Sequence, residues 1–158
     1  MDFVLLADRP DELERVAGWY FEQWGYRRPG MTLADAREDL RDYLNRDKLP
    51  LMVLAVEGDE LIGAAQLKYR EMSIYPDREH WLGGVYVADG YRGRRIASKL
   101  VERIVALARA FRVETLHLQT VREDGGLYAR LGWQAREQVH YKGDDVLVMS
   151  RDIGDRNP

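Results

Sequence analysis

Residues 85–98 run Val85-Tyr86-Val87-Ala88-Asp89-Gly90-Tyr91-Arg92-Gly93-Arg94-Arg95-Ile96-Ala97-Ser98. An apolar strand enters a turn containing Gly90 and Gly93. A long segment follows with Ile96, Leu100, Ile104, Leu107 and Phe111 on one helical face. The N-terminus of such a helix carries about half a positive charge and N–H groups without partners. Helix stability alone would place Asp or Glu there, yet the chain places Arg92, Arg94 and Arg95. A conflict with a local rule tends to mark a site. The plain alternative is that these arginines are solvated and pair with acids elsewhere. Against it, strand, glycine turn and helix follow one another directly, and an anion would resolve the conflict. N–H groups and guanidinium forks would hold it together, and a phosphate or pyrophosphate suits them. The Gly-Lys-[Ser/Thr] end of a P-loop is absent, as is G-x-G-x-x-G.

Charge along the chain supports a local anion site. Residues 92–112 hold seven Lys or Arg and one acid, a net of +6, in a chain of 158 residues whose net charge is −3. That pattern argues against general nucleic-acid binding and for one focused basic segment. With 46% hydrophobic and 32% charged residues, the composition fits one globular domain and excludes disorder. No apolar run approaches the roughly 20 residues needed to span a membrane. The opening MDFVLLADRP has no basic n-region and is not read as a signal peptide. There is no cysteine, which excludes thiol nucleophiles and disulfides and fits a cytoplasmic location. His80, His117 and His140 show no metal-ligand spacing, so no metal is expected.

Working outward, the periodicity predicts a strand over Phe3–Leu6 and a helix from Arg9 to about Trp24, capped by Asp8. Thr32 with Asp35 resembles a capping box for a second helix, to about Leu44. Strands Leu51–Val56 and Leu61–Tyr69 flank the turn Glu57-Gly58-Asp59-Glu60, and Trp81–Val87 is a third. After the helix Arg94–Arg112 come a strand Thr115–Thr120 and a short helix Leu127–Leu131 closed by Gly132. Strands Gln134–Tyr141 and Val146–Arg151 end the pattern. The order predicts a mixed α/β (α+β) domain, a central, largely antiparallel sheet flanked by helices. One domain is expected over 1–153, with 154–158 a loose tail.

A second motif, Leu127-Tyr128-Ala129-Arg130-Leu131-Gly132-Trp133, stands one helix and one strand after the first. Together the two resemble the motifs of the GCN5-related N-acetyltransferase (GNAT) superfamily. Val87, Tyr91, Arg92 and Ala97 fall in register on the family's acetyl-CoA motif. The later segment is similar to its L-Y-x-x-L-G-[Phe/Trp] motif. The resemblance covers nearly the whole chain and implies the acyl-CoA N-acyltransferase fold. Two departures stand out: Arg95 replaces a motif glycine, and Val121 stands where an Asn is often found.

The resemblance implies acetyl-CoA as co-substrate. Backbone groups of Val85 and Val87 would pair with its pantetheine arm like an added strand. The pyrophosphate would lie on N–H groups of Arg92, Gly93, Arg94, Arg95, Ile96 and Ala97, with Ser98 adding a hydroxyl. Gly83 and Gly84 would permit a bulge that parts the strands. Tyr128 resembles the family's general acid. A general base must take a proton from the amine. Glu79 is adopted for it, with His80, His117 or a water relay as alternatives and Glu71 a weaker one.

The expected reaction is direct acetyl transfer to a primary amine, of a small molecule or a peptide. The resemblance implies that the first two helices and their loop shape the acceptor pocket. There Trp19, Tyr20, Trp24 and Tyr26 with Glu22, Asp35, Glu38 and Asp39 would suit a cationic acceptor, while amphipathic packing with solvated outer faces explains most of them as well. The rivals are a non-catalytic acetyl-CoA-binding module on the same fold and a transferase for another acyl-CoA. Family members often pair, so the resemblance admits a homodimer.

Overall fold

The computed structural model describes residues 1–154. Its strands are β1 Asp2–Leu5, β2 Leu51–Glu57, β3 Glu60–Tyr69, β4 His80–Val87, β5 Thr115–Thr120, β6 Gln134–Tyr141 and β7 Asp144–Asp152. Its helices are α1 Leu13–Trp24, α2 Leu33–Arg41, α3 Ile96–Ala110 and α4 Gly126–Arg130. The strands form one sheet in the order β1-β2-β3-β4-β5-β7-β6. Every neighbouring pair is antiparallel except β4 and β5. The expected α/β architecture is therefore the one found.

Two faces of the sheet carry separate cores. The odd-numbered residues Leu51, Val53 and Ala55 of β2 pack on Leu100, Ile104 and Val105 of α3. The even-numbered Met52, Leu54 and Val56 pack on Val16 and Ala17 of α1 and Leu40 of α2. Strand periodicity of two distributes one apolar run to both faces. On β3, Ala65 and Leu67 join the α3 core while Ala64 joins the other. Gln66 and Lys68 continue the Ala64 face, so they point to the α1–α2 side.

The boundaries differ from expectation where local chemistry differs. Asp8 caps no helix. It pairs with Arg46 at 2.7 Å, and two short 3-10 turns, Leu6–Asp8 and Pro10–Glu12, precede α1. The Thr32–Asp35 capping box is present in full. Helix α2 stops at Arg41, and the following amides bond three residues back, Tyr43 N–H to Leu40 and Leu44 N–H to Arg41. Helix α3 starts at Ile96, because Arg95 lies in the left-handed region at φ +60°. The β6–β7 turn is only Lys142-Gly143, both at positive φ, a two-residue hairpin of the primed kind. Gly154 donates its N–H to the Glu114 carbonyl at 3.1 Å. The rest of the expected tail, 155–158, lies outside the described residues.

Candidate active site

The site begins where β4 and β5 part. These parallel neighbours pair only at Trp81 and His117. Beyond that point Leu82–Val85 on one side and Leu118–Val121 on the other line a cleft of about 630 Å³. Its α1–α2 wall is held to β4 by stacking of Trp19 on Tyr86, ring centroids 4.8 Å apart.

A bulge in β4 accompanies the parting. Ala64 faces Tyr86 and Gln66 faces Gly83, so Gly84 and Val85 together oppose Ala65. Gly84 has φ +56°, and a Cβ there would sit 2.7 Å from both Gln66 Oε1 and the Tyr20 hydroxyl. That hydroxyl donates to the Gly84 carbonyl at 2.6 Å. A Cβ on Gly83 would lie 2.6 Å from Lys68 Cδ and 2.8 Å from Glu71 Oε1. The two glycines thus let polar side chains close directly on the strand at its splay.

Among these side chains is an ion pair. Lys68 Nζ donates to Glu71 Oε1 at 2.7 Å, and the two side chains are 25% and 12% exposed. Burial pulls the Lys68 ammonium down, but Glu71 and Tyr43 beside it leave it above the usual lysine value. The second carboxylate oxygen, Glu71 Oε2, is buried without a hydrogen-bond partner.

Tyr128 reaches the same cleft from α4. Its place follows from the local sequence. Gly132, at φ +89°, ends the helix, with its N–H bonded to Ala129 O and the Trp133 N–H to Tyr128 O. That is a Schellman motif, in which the residue after the glycine packs back on the third from the helix end. Trp133 does so against Tyr128, edge to face at 6.3 Å. Burial, and then the Glu71 charge, push the Tyr128 phenol up to about 12.

The other candidates for a base lie elsewhere. Glu79 is exposed, ahead of β4 and 4.0 Å from Arg70, and does not line the cleft. Its place is at the closed end of the β4–β5 pair, apart from the residues that line the cleft. His80 is set edge-on against Tyr69, centroids 5.7 Å apart. His117 faces Trp81 at the pairing point, and burial, then Arg78 and Arg136, push it down to about 4. Glu71, ranked lowest from sequence, is the carboxylate beside Tyr128. Its proximity depends on the loop 70–79 folding back, for which no local pattern exists.

The basic loop lies at the far end of β4. The Ala88 N–H bonds Ile62 O on β3. By the alternation of an antiparallel ladder, Val87 turns its own N–H and C=O toward the parted edge. Its carbonyl accepts from Arg92 Nε at 3.2 Å. Arg92 also lies 3.3 Å from Asp89, and Arg94 3.3 Å from Glu57, while Tyr91 donates to Glu60 at 2.6 Å. The β2–β3 turn therefore pins this loop. Arg95 is exposed at the N-cap of α3, whose opening turn has no acid and no side-chain cap. The first-turn N–H groups of Ile96, Ala97 and Ser98 have no helical acceptors. These groups fit the phosphates of an acyl-CoA, and the free β4 edge fits its amide-bearing arm. Among the described residues no cluster of His, Asp and Glu is arranged to hold a metal ion. Nor is any described helix long and apolar enough to cross a membrane.

A seven-stranded sheet split after its fourth strand, with a helix N-terminus at the split, defines an acyl-CoA N-acyltransferase. Residues 13–133 match the model of the acetyltransferase (GNAT) family. The chain belongs to that family, and it is an acetyltransferase. No curated protein matches it by sequence. Among solved structures it is similar to aminoglycoside 6′-acetyltransferase type Ii, at 17% identity and TM-score 0.75, over 99% of this chain and 100% of that one. It is similar to an aminoglycoside 6′-N-acetyltransferase complexed with coenzyme A, at 15% identity and TM-score 0.75, over the whole of both chains. Arabidopsis thaliana NAA60 in complex with acetyl-CoA gives 19% identity and TM-score 0.74, over 96% of this chain and 98% of that one. At these identities the likeness is one of fold.

Proposed function

We propose that the protein transfers the acetyl group of acetyl-CoA directly to a primary amine, with Glu71 as general base and Tyr128 as hydrogen-bond donor to the leaving sulfur. The observation that carries this reading is the unpartnered Glu71 Oε2 beside Tyr128 in the cleft. The amine nitrogen attacks the thioester carbon, the C–S bond breaks, and the acetyl group moves to nitrogen. Glu71 takes the amine proton. Full transfer from a phenol near 12 to a thiolate of ordinary pKa near 8.5 is uphill by about 5 kcal/mol. Tyr128 therefore donates a hydrogen bond as charge builds on sulfur, and the proton held by Glu71 then passes to the departing thiolate, so that one proton moves from amine to thiol overall. No cysteine exists to form a covalent intermediate. Val85 and Val87 offer backbone groups to the pantetheine arm and carbonyl. Residues Arg92–Ser98 take the phosphates.

The test is thiol release from acetyl-CoA across an amine panel. Glu71→Gln is expected to lower kcat by about 10²-fold or more, and Tyr128→Phe to lower kcat with the acetyl-CoA KM unchanged. Glu79→Gln is expected to match the parent within threefold. Impairment by Glu79→Gln with normal turnover in Glu71→Gln would reverse the assignment.

A further inference from the structure

The segment joining α1 to α2 crosses the cleft on the face opposite α3, and two of its residues are bonded to the far bank. The Tyr26 hydroxyl donates to Asp144 Oδ2 at 2.8 Å, and Arg27 Nε lies 3.2 Å from the same oxygen. Arg27 Nη2 donates to Gln119 Oε1 at 3.1 Å and to the Tyr141 carbonyl at 3.3 Å. Gln119 belongs to β5, while Tyr141 and Asp144 flank the β6–β7 turn. One guanidinium thus ties the helical side to two elements on the other side of the split. It does so from a protected position, with the Arg27 and Asp144 side chains only 18% and 20% exposed. An exposed ion pair would count for little. A guanidinium that donates to two partners and pairs in charge with a third fixes geometry as well as charge.

This strap occupies ground that a polypeptide acceptor would need. A peptide delivering its terminus or a lysine to Glu71 from this face would lie across the α1–α2 segment and the β6–β7 turn. Here the protein's own chain bridges those two elements. Tyr26 and Arg27 also line the cleft from within. Beneath them Trp24, Tyr43 and Tyr141 line it together with Glu71. Aromatic walls and a buried carboxylate with an uncommitted oxygen, with Asp39 and Asp42 on the same lining, suit a protonated amine on a slender body.

We infer that the acceptor is a small free primary amine rather than an amine presented by a peptide or folded protein, and that the Tyr26–Arg27 strap on Asp144 excludes the larger class. The inference rests on the acetyl-transfer reading above and narrows its acceptor. Asp144 does not line the cleft, so its substitution frees Tyr26 and takes away the charge that holds Arg27, without removing a wall.

Calorimetric titration tests it without relying on turnover. Three ligands are compared: coenzyme A, its conjugate through an acetyl bridge to butylamine, and its conjugate through the same bridge to the N-terminus of a tetrapeptide. The butylamine conjugate is expected to bind at least tenfold more tightly than the peptide conjugate. In Asp144→Ala the peptide conjugate is expected to gain at least tenfold, with coenzyme A and the butylamine conjugate moving less than threefold. Asp144→Asn, which keeps the side-chain volume, serves as the second variant, and coenzyme A affinity reports that each is folded. Equal binding of the two conjugates to the parent overturns the inference. So does a peptide conjugate unmoved by both variants, or a butylamine conjugate no tighter than coenzyme A. Failure of coenzyme A itself to bind the folded parent is a different result, which removes the acetyl-CoA reading beneath it.

Discussion

Lys68 and Glu71 face one another at 2.7 Å in a largely buried place, where an apolar pair of similar volume would serve stability as well. Keeping the charges there has a chemical use. Lys68 commits Oε1 and fixes the carboxylate, leaving Oε2 for the amine. Lys68→Met removes that donor, so kcat is expected to fall at least tenfold while the acetyl-CoA KM stays put. Unchanged turnover would separate Lys68 from the base. His117 makes a second prediction at this scale, on stability alone. Its folded value, about 4, lies below the unfolded 6.5, so the unfolded chain binds the proton more readily. Its contribution is whole above pH 6.5 and is lost as pH falls toward 4. The ceiling is about 3 kcal/mol, less for partial exposure. Denaturant unfolding between pH 7 and pH 4 should show this loss, and His117→Gln should flatten it. Equal slopes in both proteins would contradict it.

The elements show why some boundaries could be read from sequence and others could not. Thr32 with Asp35, and Gly132 before Trp133, are self-contained signals, since capping box and Schellman motif are closed by residues within a few positions. The Gly83-Gly84 bulge was legible only through the family resemblance, since Tyr20, Gln66 and Lys68, which close on it, stand elsewhere in the chain. Asp8 failed as a cap because Arg46, far along the chain, takes its carboxylate. Arg95 failed as a helical residue because a non-glycine at φ +60° carries no local mark. Glu71 and the strap were invisible, since their partners depend on a folded loop and on a residue 118 positions away. The bulge yields its own prediction. Gly84→Ala puts a side chain at φ +56° and 2.7 Å from two polar atoms. The left-handed backbone and the overpacking together are expected to cost about 3 kcal/mol. A loss under 1 kcal/mol in denaturant unfolding would mean that the bulge tolerates a side chain.

At the scale of the molecule, the sheet divides the work. The α3 side presents a basic loop pinned by Glu57 and Glu60, and the α1–α2 side presents the aromatic and carboxylate lining. The parted strands connect them, so both halves of the chemistry meet at Gly83-Gly84. Much of this was readable, because two spaced motifs and the element order carry the family resemblance. The acceptor was not, because its pocket is assembled from residues between 20 and 146. The most direct measurement is calorimetric titration of the folded protein with acetyl-CoA, beside 3′-phospho-ADP and pantetheine alone. The expected result is micromolar binding of acetyl-CoA, with each half alone at least tenfold weaker, because loop and strand edge each hold one half. Binding of the nucleotide half as tight as acetyl-CoA, or none by either, would contradict the site.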